Sequence, residues 1–386
     1  MTGKLNLIAG GFALTALTYG LARFAYGLML SDIRTDLALD AASAGWIGGS
    51  AFASYCLGIG AALVAGARFS ARLLTVLAAI LATGGLALAA SAASAWSLGS
   101  AMVLAGLSTG LTSPPLATAV ARSLDDVEQP RANGAINAGT AAGIILSGVA
   151  FVLFPGSWRS LYVLFAIIGA LIAVWLCFAI PAGPQERGTF RASLKGLWRP
   201  GAGALCICAL LAGAASAAIW TFGASILRED LHFTVVQIAI AWIMLGVGGT
   251  VAIGTGVLTA RQGCARVHRL AIAGMALPLI ALGVAGNAPW LGFGVMAMFG
   301  LAYIASSGVF LLWGIELYAD RPAFGLGLPF LMLALGQTGG APLFGTLWQL
   351  AGAAAALGCF AAIMCTALIW APCPSARARL DRRAAG

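Results

Sequence analysis

The sequence predicts an all-α polytopic membrane protein in which twelve transmembrane helices form two pseudo-symmetric six-helix bundles. Three observations lead there. Apolar residues make up 61% of the 386-residue chain and charged residues only 9%, whereas soluble domains are about 25% charged and use that charge to build a solvated surface. The charges fall in short clusters, separated by apolar runs of about 20 residues, the length that crosses a hydrocarbon core of ~30 Å. The stretch "IRTDLALD", starting at Ile33, returns as "LREDLHFT", starting at Leu227, and the offset of 227 − 33 = 194 is close to half the chain.

Charge clusters and turn residues set the limits of each span. The first, 5–30, is too long for the apolar region of a signal peptide and lacks a small-residue cleavage site after it, so it is expected to stay as a span. The second, 41–65, and the third, 73–94, flank the basic stretch "GARFSARLL". The fourth, 96–121, carries a Pro114-Pro115 break; the fifth, 133–154, follows Arg131; the sixth, 158–180, opens on Trp158 and Arg159. The basic segment "GPQERGTFRASLKGLWRP" then separates the halves, and six more spans follow at 201–227, 235–259, 270–286, 289–316, 323–349 and 352–371. The domain reading is an N-terminal bundle over 1–180, a cytoplasmic linker over 181–200, a C-terminal bundle over 201–372 and a cytoplasmic tail over 373–386.

With the amino terminus inside, the cytoplasmic side holds Lys4, Arg68, Arg72, Arg122, Arg131, Arg187, Arg191, Lys195, Arg199, Arg261, Arg266, Arg269, Arg321, Arg377, Arg379, Arg382 and Arg383, while only Arg34, Arg159 and Arg228 lie outside. The positive-inside rule then sets the orientation. The expected location is the cell inner membrane, with multiple passes, both termini cytoplasmic and the chain a monomer. The net charge of +9 is accounted for by basic loops held at an anionic leaflet, so the lipid bilayer and not nucleic acid is the expected partner. The eight cysteines lie mostly inside apolar segments without CxxC spacing, and His232 and His268 fall in expected loops. No metal, cofactor or disulfide framework is expected from them. Without a clustered catalytic constellation or a phosphate loop, the chain does not read as an enzyme.

The repeat organises the rest. The 194 offset maps Gly60 onto Gly254 and Gly106 onto Gly300, and a drift to 197 pairs Gly139 and Gly143 with Gly336 and Gly340. Six spans per half make the copies parallel, and transporters built this way hold substrate near the midplane and rock one half against the other. The glycines are expected to let helix backbones pack closely.

At these positions the chain resembles the major facilitator superfamily over nearly its whole length. "GARFSARLL" is similar to that superfamily's G-x-x-x-D-R-x-G-R loop, with Arg68 and Arg72 in basic positions and Ala67 where the acid stands; "ARQGCAR" in the second half has Arg261 and Gly263, again without an acid. In the family this loop acts as a conformational latch. "SWRSLYVLF" resembles the W-R start of the sixth span, Met102 replaces an arginine before Gly106, and "GAINAGTAAGIILSG" has the antiporter glycine spacing with Thr140 in place of its proline. "LARFAYGLMLSDIRTDLALD" with "AGWIGGSAFASYCLGI" resembles the YbfB/YjiJ-like branch, with Ser31 where a proline is expected.

Arg23 is the one basic residue well inside a span. A cation at the bilayer centre costs at least ~2.5 kcal/mol on insertion scales, so it should face a partner or a polar interior. In an α-helix Thr15, Tyr19, Arg23 and Tyr26 share a face through their 4, 4, 3 spacing. By the 194 offset Tyr26 maps onto Trp220 but Arg23 maps onto Ala217, so the scaffold itself does not require the cation. The alternative is that Arg23 snorkels to the outer interface or pairs with Asp32 or Asp36. A guanidinium fork suits a carboxylate or phosphate, and no acid lies deep in a span to compete. That lowers cation efflux, which generally needs an embedded acid.

The resemblance places the first, fourth, seventh and tenth spans at the centre. Thr109, Thr112 and Ser113 in the fourth map onto Tyr303, Ser306 and Ser307 in the tenth, so both halves are polar at one depth. Asn137 and Gln337 add neutral hydrogen-bonding capacity, Trp220 and Trp313 are candidate apolar walls, and Glu316 or Asp32 is a candidate proton or gate group. For the outer loops the expectation is that Arg34 with Asp36 and Arg228 with Asp230 cap helix ends. The leading functional expectation is secondary transport of a small organic anion, a carboxylate first, by alternating access. Proton-coupled uptake is compatible with a carboxylate that arrives protonated or with a co-transported proton. The alternatives are efflux of an amphipathic drug or metabolite, and a non-transporting membrane sensor.

Overall fold

The structure is a computed structural model, and it describes residues 2–154, 157–181, 199–284, 288 and 290–372. Most of the expected linker and all of the expected tail lie outside these residues. The N-terminal half comprises α1 (Gly3–Asp36), α2 (Ala41–Gly66), α3 (Ala71–Ala90), α4 (Ala95–Gly110, continued by Ser113–Ser123), α5 (Gln129–Leu153) and α6 (Trp158–Ala179). The C-terminal half comprises α7 (Ala202–Glu229), α8 (Val235–Val251, continued by Thr255–Gln262), α9 (Cys264–Val284), α10 (Leu291–Leu317), α11 (Pro322–Ala351) and α12 (Ala353–Ile369). Among the described residues nine helices are long and apolar enough to cross a membrane by themselves, ten with the bent α8.

Of the remaining helices α12 is a shorter apolar helix, and the interruptions of α4 and α8 have local causes. α4 breaks where Leu111 and Thr112 turn and Pro114 and Pro115 restart the helix at its first turn, a position that does not need the missing N–H. α8 bends by 51° at Ala252–Gly254, where a 3₁₀ turn replaces the α-helix. α1 runs six residues past its expected end at Leu30, to Asp36. Starts are set by side chains that take up orphan amides: Asp40 accepts from the Ser43 amide, and Thr234 and Gln237 form a reciprocal capping box. That Ser43 amide holds the Asp40 carboxyl below its ordinary range.

The helices turn apolar surface outward. Val163, Ile167, Leu171, Val174 and Phe178 form an exposed stripe on α6 at helical spacing, which in a membrane protein faces lipid. Trp46, Trp96 and Trp290 are exposed at one end of the helices, as interfacial tryptophans are. That end is called the far end below, and the opposite one, carrying Lys4, Arg68, Arg131 and Arg261, the basic end.

The glycine repeat is a packing repeat. A Cβ on Gly139 or Gly143 of α5 would run into the carbonyls of Phe12 or Ala16 on α1, and one on Gly336 or Gly340 of α11 into those of Leu210 or Ala214 on α7. The same crossing is thus built twice, once per bundle. Gly60 and Gly254, which the offset also pairs, have open space at their Cβ positions.

Each bundle has its own clamp at the basic end. Lys4 donates to Glu128 at 2.7 Å, tying the start of α1 to the start of α5. Arg199 donates to both Asp320 oxygens at 2.7 and 2.6 Å, tying the start of α7 to the loop after α10. These hydrogen bonds hold the Glu128 and Asp320 carboxyls below their ordinary range. Arg72 adds a bond to the Ile180 carbonyl at the end of α6, which is what the basic stretch between α2 and α3 does here.

At the far end the ties cross between bundles. Arg34 on α1 donates to Glu229 on α7 at 2.8 Å, and Arg228 on α7 pairs with Asp32 on α1. This overturns the expected local capping pairs: Asp36 is taken by Arg159 at the start of α6. The reason is geometric, because helices α1 and α7 meet side by side at their far ends and present each arginine to the neighbour. Gly27 sits against the Trp220 carbonyl there, Gly45 of α2 lies on the Ala341 backbone of α11, and Gln349 reaches Asp40 at 3.4 Å.

Candidate functional site

The centre of α1 is not α-helical. Ala16–Phe24 forms a π-helix, closed by the Ala25 amide bonding to the Gly20 carbonyl five residues back. Such segments concentrate at functional sites. Within it Gly20 lets α1 approach α5 closely, since its α-carbon lies directly on the Gly143 backbone. The wider turn ends the expected Thr15, Tyr19, Arg23, Tyr26 stripe. Thr15 bonds back to the Gly11 carbonyl, and Tyr26 is buried with its hydroxyl on the Ala44 carbonyl of α2. Tyr19 and Arg23 remain central.

Arg23 is 6% exposed. It neither snorkels nor pairs with Asp32 or Asp36. Its guanidinium carbon lies 4.5 Å from the ring centres of both Phe52 and Tyr55 on α2, 5.0 Å from Phe24 and 5.9 Å from Tyr19. A desolvated cation over a ring gains about 2 kcal/mol, so these rings offset much of the cost of burying the charge. One hydrogen bond crosses to the other bundle, from Arg23 to the Gln337 oxygen of α11 at 3.2 Å. The Nε of Arg23 has no partner among the described residues.

Around this cation the C-terminal bundle supplies Gln337, whose amide nitrogen donates to Ser216 Oγ on α7 and Tyr303 Oη on α10, both at 3.3 Å. Trp220 stacks on Phe24 at 4.1 Å and meets Tyr303 edge-on at 5.0 Å, joining the aromatic faces of both halves. The Ser306 hydroxyl and the Trp220 indole N–H are buried without partners among the described residues. Ser307 instead bonds to its own helix at the Tyr303 carbonyl.

On the N-terminal side Tyr19 and Ser113 share a hydrogen bond at 3.0 Å, and both are accessible. Thr112 is fully buried on Thr18 at 3.1 Å, with Thr109 bonding to the Thr18 carbonyl, so these threonines join α4 to α1. Asn137 is exposed on α5 with no described hydrogen bond. Glu316 is exposed and makes no ion pair among the described residues. His268, expected in a loop, is fully buried on α9 against Phe310 and Trp313, which places Trp313 in the packing of α9 on α10.

Sequence reasoning missed Thr18, Phe24, Phe52, Tyr55 and Ser216. Phe52 and Tyr55 carried a signal, two aromatics three residues apart on one helical face of "AFASYC". Ser216 lies beside Ala217, where the repeat placed the counterpart of Arg23. Taken together, the site is one buried cation in an aromatic clamp, spanned by neutral hydroxyl and amide groups from both bundles.

The family description Major Facilitator Superfamily matches residues 12–341. No curated protein matches the sequence. Solved structures match the fold: the nucleoside transporter NupG, 17% identical, with 96% of this chain and 98% of that one covered at a TM-score of 0.75; a D-xylose-proton symporter, 15% identical, 95% and 96% covered, TM-score 0.76; and the human organic anion transporter TETRAN, 14% identical, 95% and 99% covered, TM-score 0.66. At these identities the likeness is one of fold. The repeated six-helix bundles, the shared glycine crossings and the match over most of the sequence agree, and the chain belongs to the major facilitator superfamily.

Proposed function

We propose that the protein is a secondary transporter of a small organic anion, a carboxylate in the simplest case, in the YbfB/YjiJ-like branch of its superfamily. The single observation that carries this reading is Arg23, buried between the bundles with a neutral amide and aromatic rings around it and no carboxylate. Every described acid lies near a helix end or in a loop. A carboxylate entering the site gains a charge-assisted, two-pronged contact that no internal acid contests. Among the structural neighbours are transporters whose names specify nucleosides, D-xylose and organic anions, so the fold leaves cargo to the side chains of the site.

With the basic end in the cytoplasm of a cell with an inner membrane, the crossed ion pairs close the outer side, and the site is reached from inside past Tyr19 and Ser113. Transport then consists of breaking Arg34–Glu229 and Arg228–Asp32 while the basic ends of the bundles come together, each bundle moving as a body. In this cycle Asp32 acts as a gate group.

The test uses purified protein in detergent and then in liposomes, measuring thermal stabilisation and uptake across carboxylates, sugars, nucleosides and lipophilic cations. A carboxylate that stabilises the wild type and fails with Arg23→Ala is the expected result. Retained affinity in Arg23→Lys counts against two-pronged recognition. Binding of cations or sugars equally by wild type and Arg23→Ala, with no anion bound by either, rejects the reading.

A further inference from the structure

We infer that Gln337 is a built-in substitute ligand for Arg23, and that it makes the protein a net transporter and not an obligatory one-for-one exchanger. This rests on the anion reading of the site above. It concerns what happens to the central cation on the return step, when cargo has left.

Arg23 belongs to the N-terminal bundle and Gln337 to the C-terminal one, and their 3.2 Å bond is the inter-bundle hydrogen bond at mid-depth among the described residues. The others, Arg34 to Glu229, Arg228 to Asp32 and Gln349 to Asp40, lie at the far end. Gln337 is fully buried, and its amide is oriented by its own bundle. Its nitrogen donates to Ser216 Oγ and to Tyr303 Oη. Ser216 in turn donates to the Gly213 carbonyl at 2.8 Å, leaving its oxygen free to accept. With both amide hydrogens used on the C-terminal side, the Gln337 carbonyl is the atom turned toward the guanidinium.

An amide oxygen is a partner without a charge. It satisfies one guanidinium N–H, yet a carboxylate outcompetes it, because charge-assisted bonds are the stronger class and a carboxylate offers two oxygens. Anion binding therefore displaces Gln337 Oε1 without breaking the amide's bonds to Ser216 and Tyr303. Anion release lets the oxygen return. The substitute partner belongs to the chain itself, so it is at hand as soon as the anion leaves. A carrier lacking such a group would leave a buried cation short of a partner after release, its unloaded return would be slow, and only exchange of one anion for another would run fast.

The experiment compares two fluxes in proteoliposomes loaded with radiolabelled benzoate, with labelled lactate as a second probe and the membrane potential clamped at zero by potassium and an ionophore. Efflux into anion-free buffer reads net transport. Efflux into buffer containing unlabelled benzoate reads exchange. Wild type is expected to show both at similar rates. Gln337→Leu is expected to lower the ratio of net efflux to exchange by roughly tenfold or more, the factor that a hydrogen bond to a charged group corresponds to, whatever it does to the exchange rate itself. Gln337→Glu, which supplies a charged partner, is expected to raise the benzoate concentration for half-maximal exchange by at least about tenfold.

Wild type that exchanges but shows no net efflux overturns the inference. So does Gln337→Leu that slows both fluxes equally or neither, since that is the signature of a packing residue or of a simple cargo contact. If neither probe moves in an Arg23-dependent way, the anion reading itself fails and this inference falls with it. Arg23-dependent exchange with an unchanged ratio rejects the inference alone.

Discussion

The crossed ion pairs at the far end allow a quantitative test of the gate. Replacing Arg34 and Arg228 together by alanine removes both. The side chains are partly exposed, 19% and 39% for Arg34 and Glu229 and 38% and 30% for Arg228 and Asp32, so each pair is worth about 0.5–1 kcal/mol after solvent screening. Arg34 also lies over Trp348 of the other bundle at 5.2 Å, which adds about 0.5–1 kcal/mol. The sum, about 1.5–3 kcal/mol, shifts the balance between closed and open far ends by a factor of about 10–150. Thr221 reports it well: it is 2% exposed on α7, with its side chain against Gly48 of α2 across the interface. In a background without the native cysteines, a Thr221→Cys reporter should react with a membrane-impermeant maleimide about 10–100 times faster once both arginines are removed. Exchanging charges at one pair, Arg34→Glu with Glu229→Arg, should return the rate toward that of the intact gate. An unchanged rate in the double alanine variant, or a swap that stays as reactive as the alanine variant, refutes the assignment of these pairs as a gate.

Other expectations follow from the packing and the loops. Gly336→Ala should cost about 1–3 kcal/mol in thermal or denaturant unfolding, because the new Cβ meets the Leu210 backbone and not a movable side chain; Gly60→Ala and Gly254→Ala, with open space at the Cβ, should change stability little. Gly27→Ala should instead wedge α1 from α7 at the Trp220 carbonyl and raise far-end labelling without unfolding either bundle. Phe52→Leu should lower stability and weaken anion binding together, since that ring supports the Arg23 guanidinium directly. The Asp320 carboxyl sits below its ordinary value of 3.8 because of its Arg199 hydrogen bonds, so its stabilising contribution is complete above that pH and lost as pH falls through the lower folded value; unfolding curves from about pH 6 to about pH 3 should be less acid-sensitive in this range for Asp320→Asn.

Much of the fold was legible because membrane spans are specified locally. A run of about 20 apolar residues between charges must become a helix that satisfies its own backbone, and the two copies announced themselves through an offset that stays between 194 and 197 residues. Close glycine crossings were legible at Gly139, Gly143, Gly336 and Gly340, where small residues repeat at helical spacing. Gly60 and Gly254 repeat equally well and touch nothing, since a sequence offset records common descent of the halves and not which face each residue presents. Arg23 stood out because a lone buried cation is conspicuous in any span. Its clamp did not, because Phe52 and Tyr55 are ordinary lipid-compatible residues until α2 is docked against α1.

By itself the sequence determined the membrane setting, the two bundles and the one central cation, all properties of composition and spacing along the chain. The tertiary structure decided how those parts are wired. The π-helical turn of α1, packed on α5 where Gly20 meets Gly143, removed Thr15 and Tyr26 from the expected stripe. Docking of α1 on α7 sent Arg34 to Glu229, 195 residues away, and not to Asp36 beside it. Packing of α11 across from α1 brought Gln337 to Arg23, 314 residues apart in the chain. Such pairings turn on the distance and direction of side chains after the bundles meet, and hydrophobic patterning, which specifies which face is buried, carries no record of which neighbour buries it.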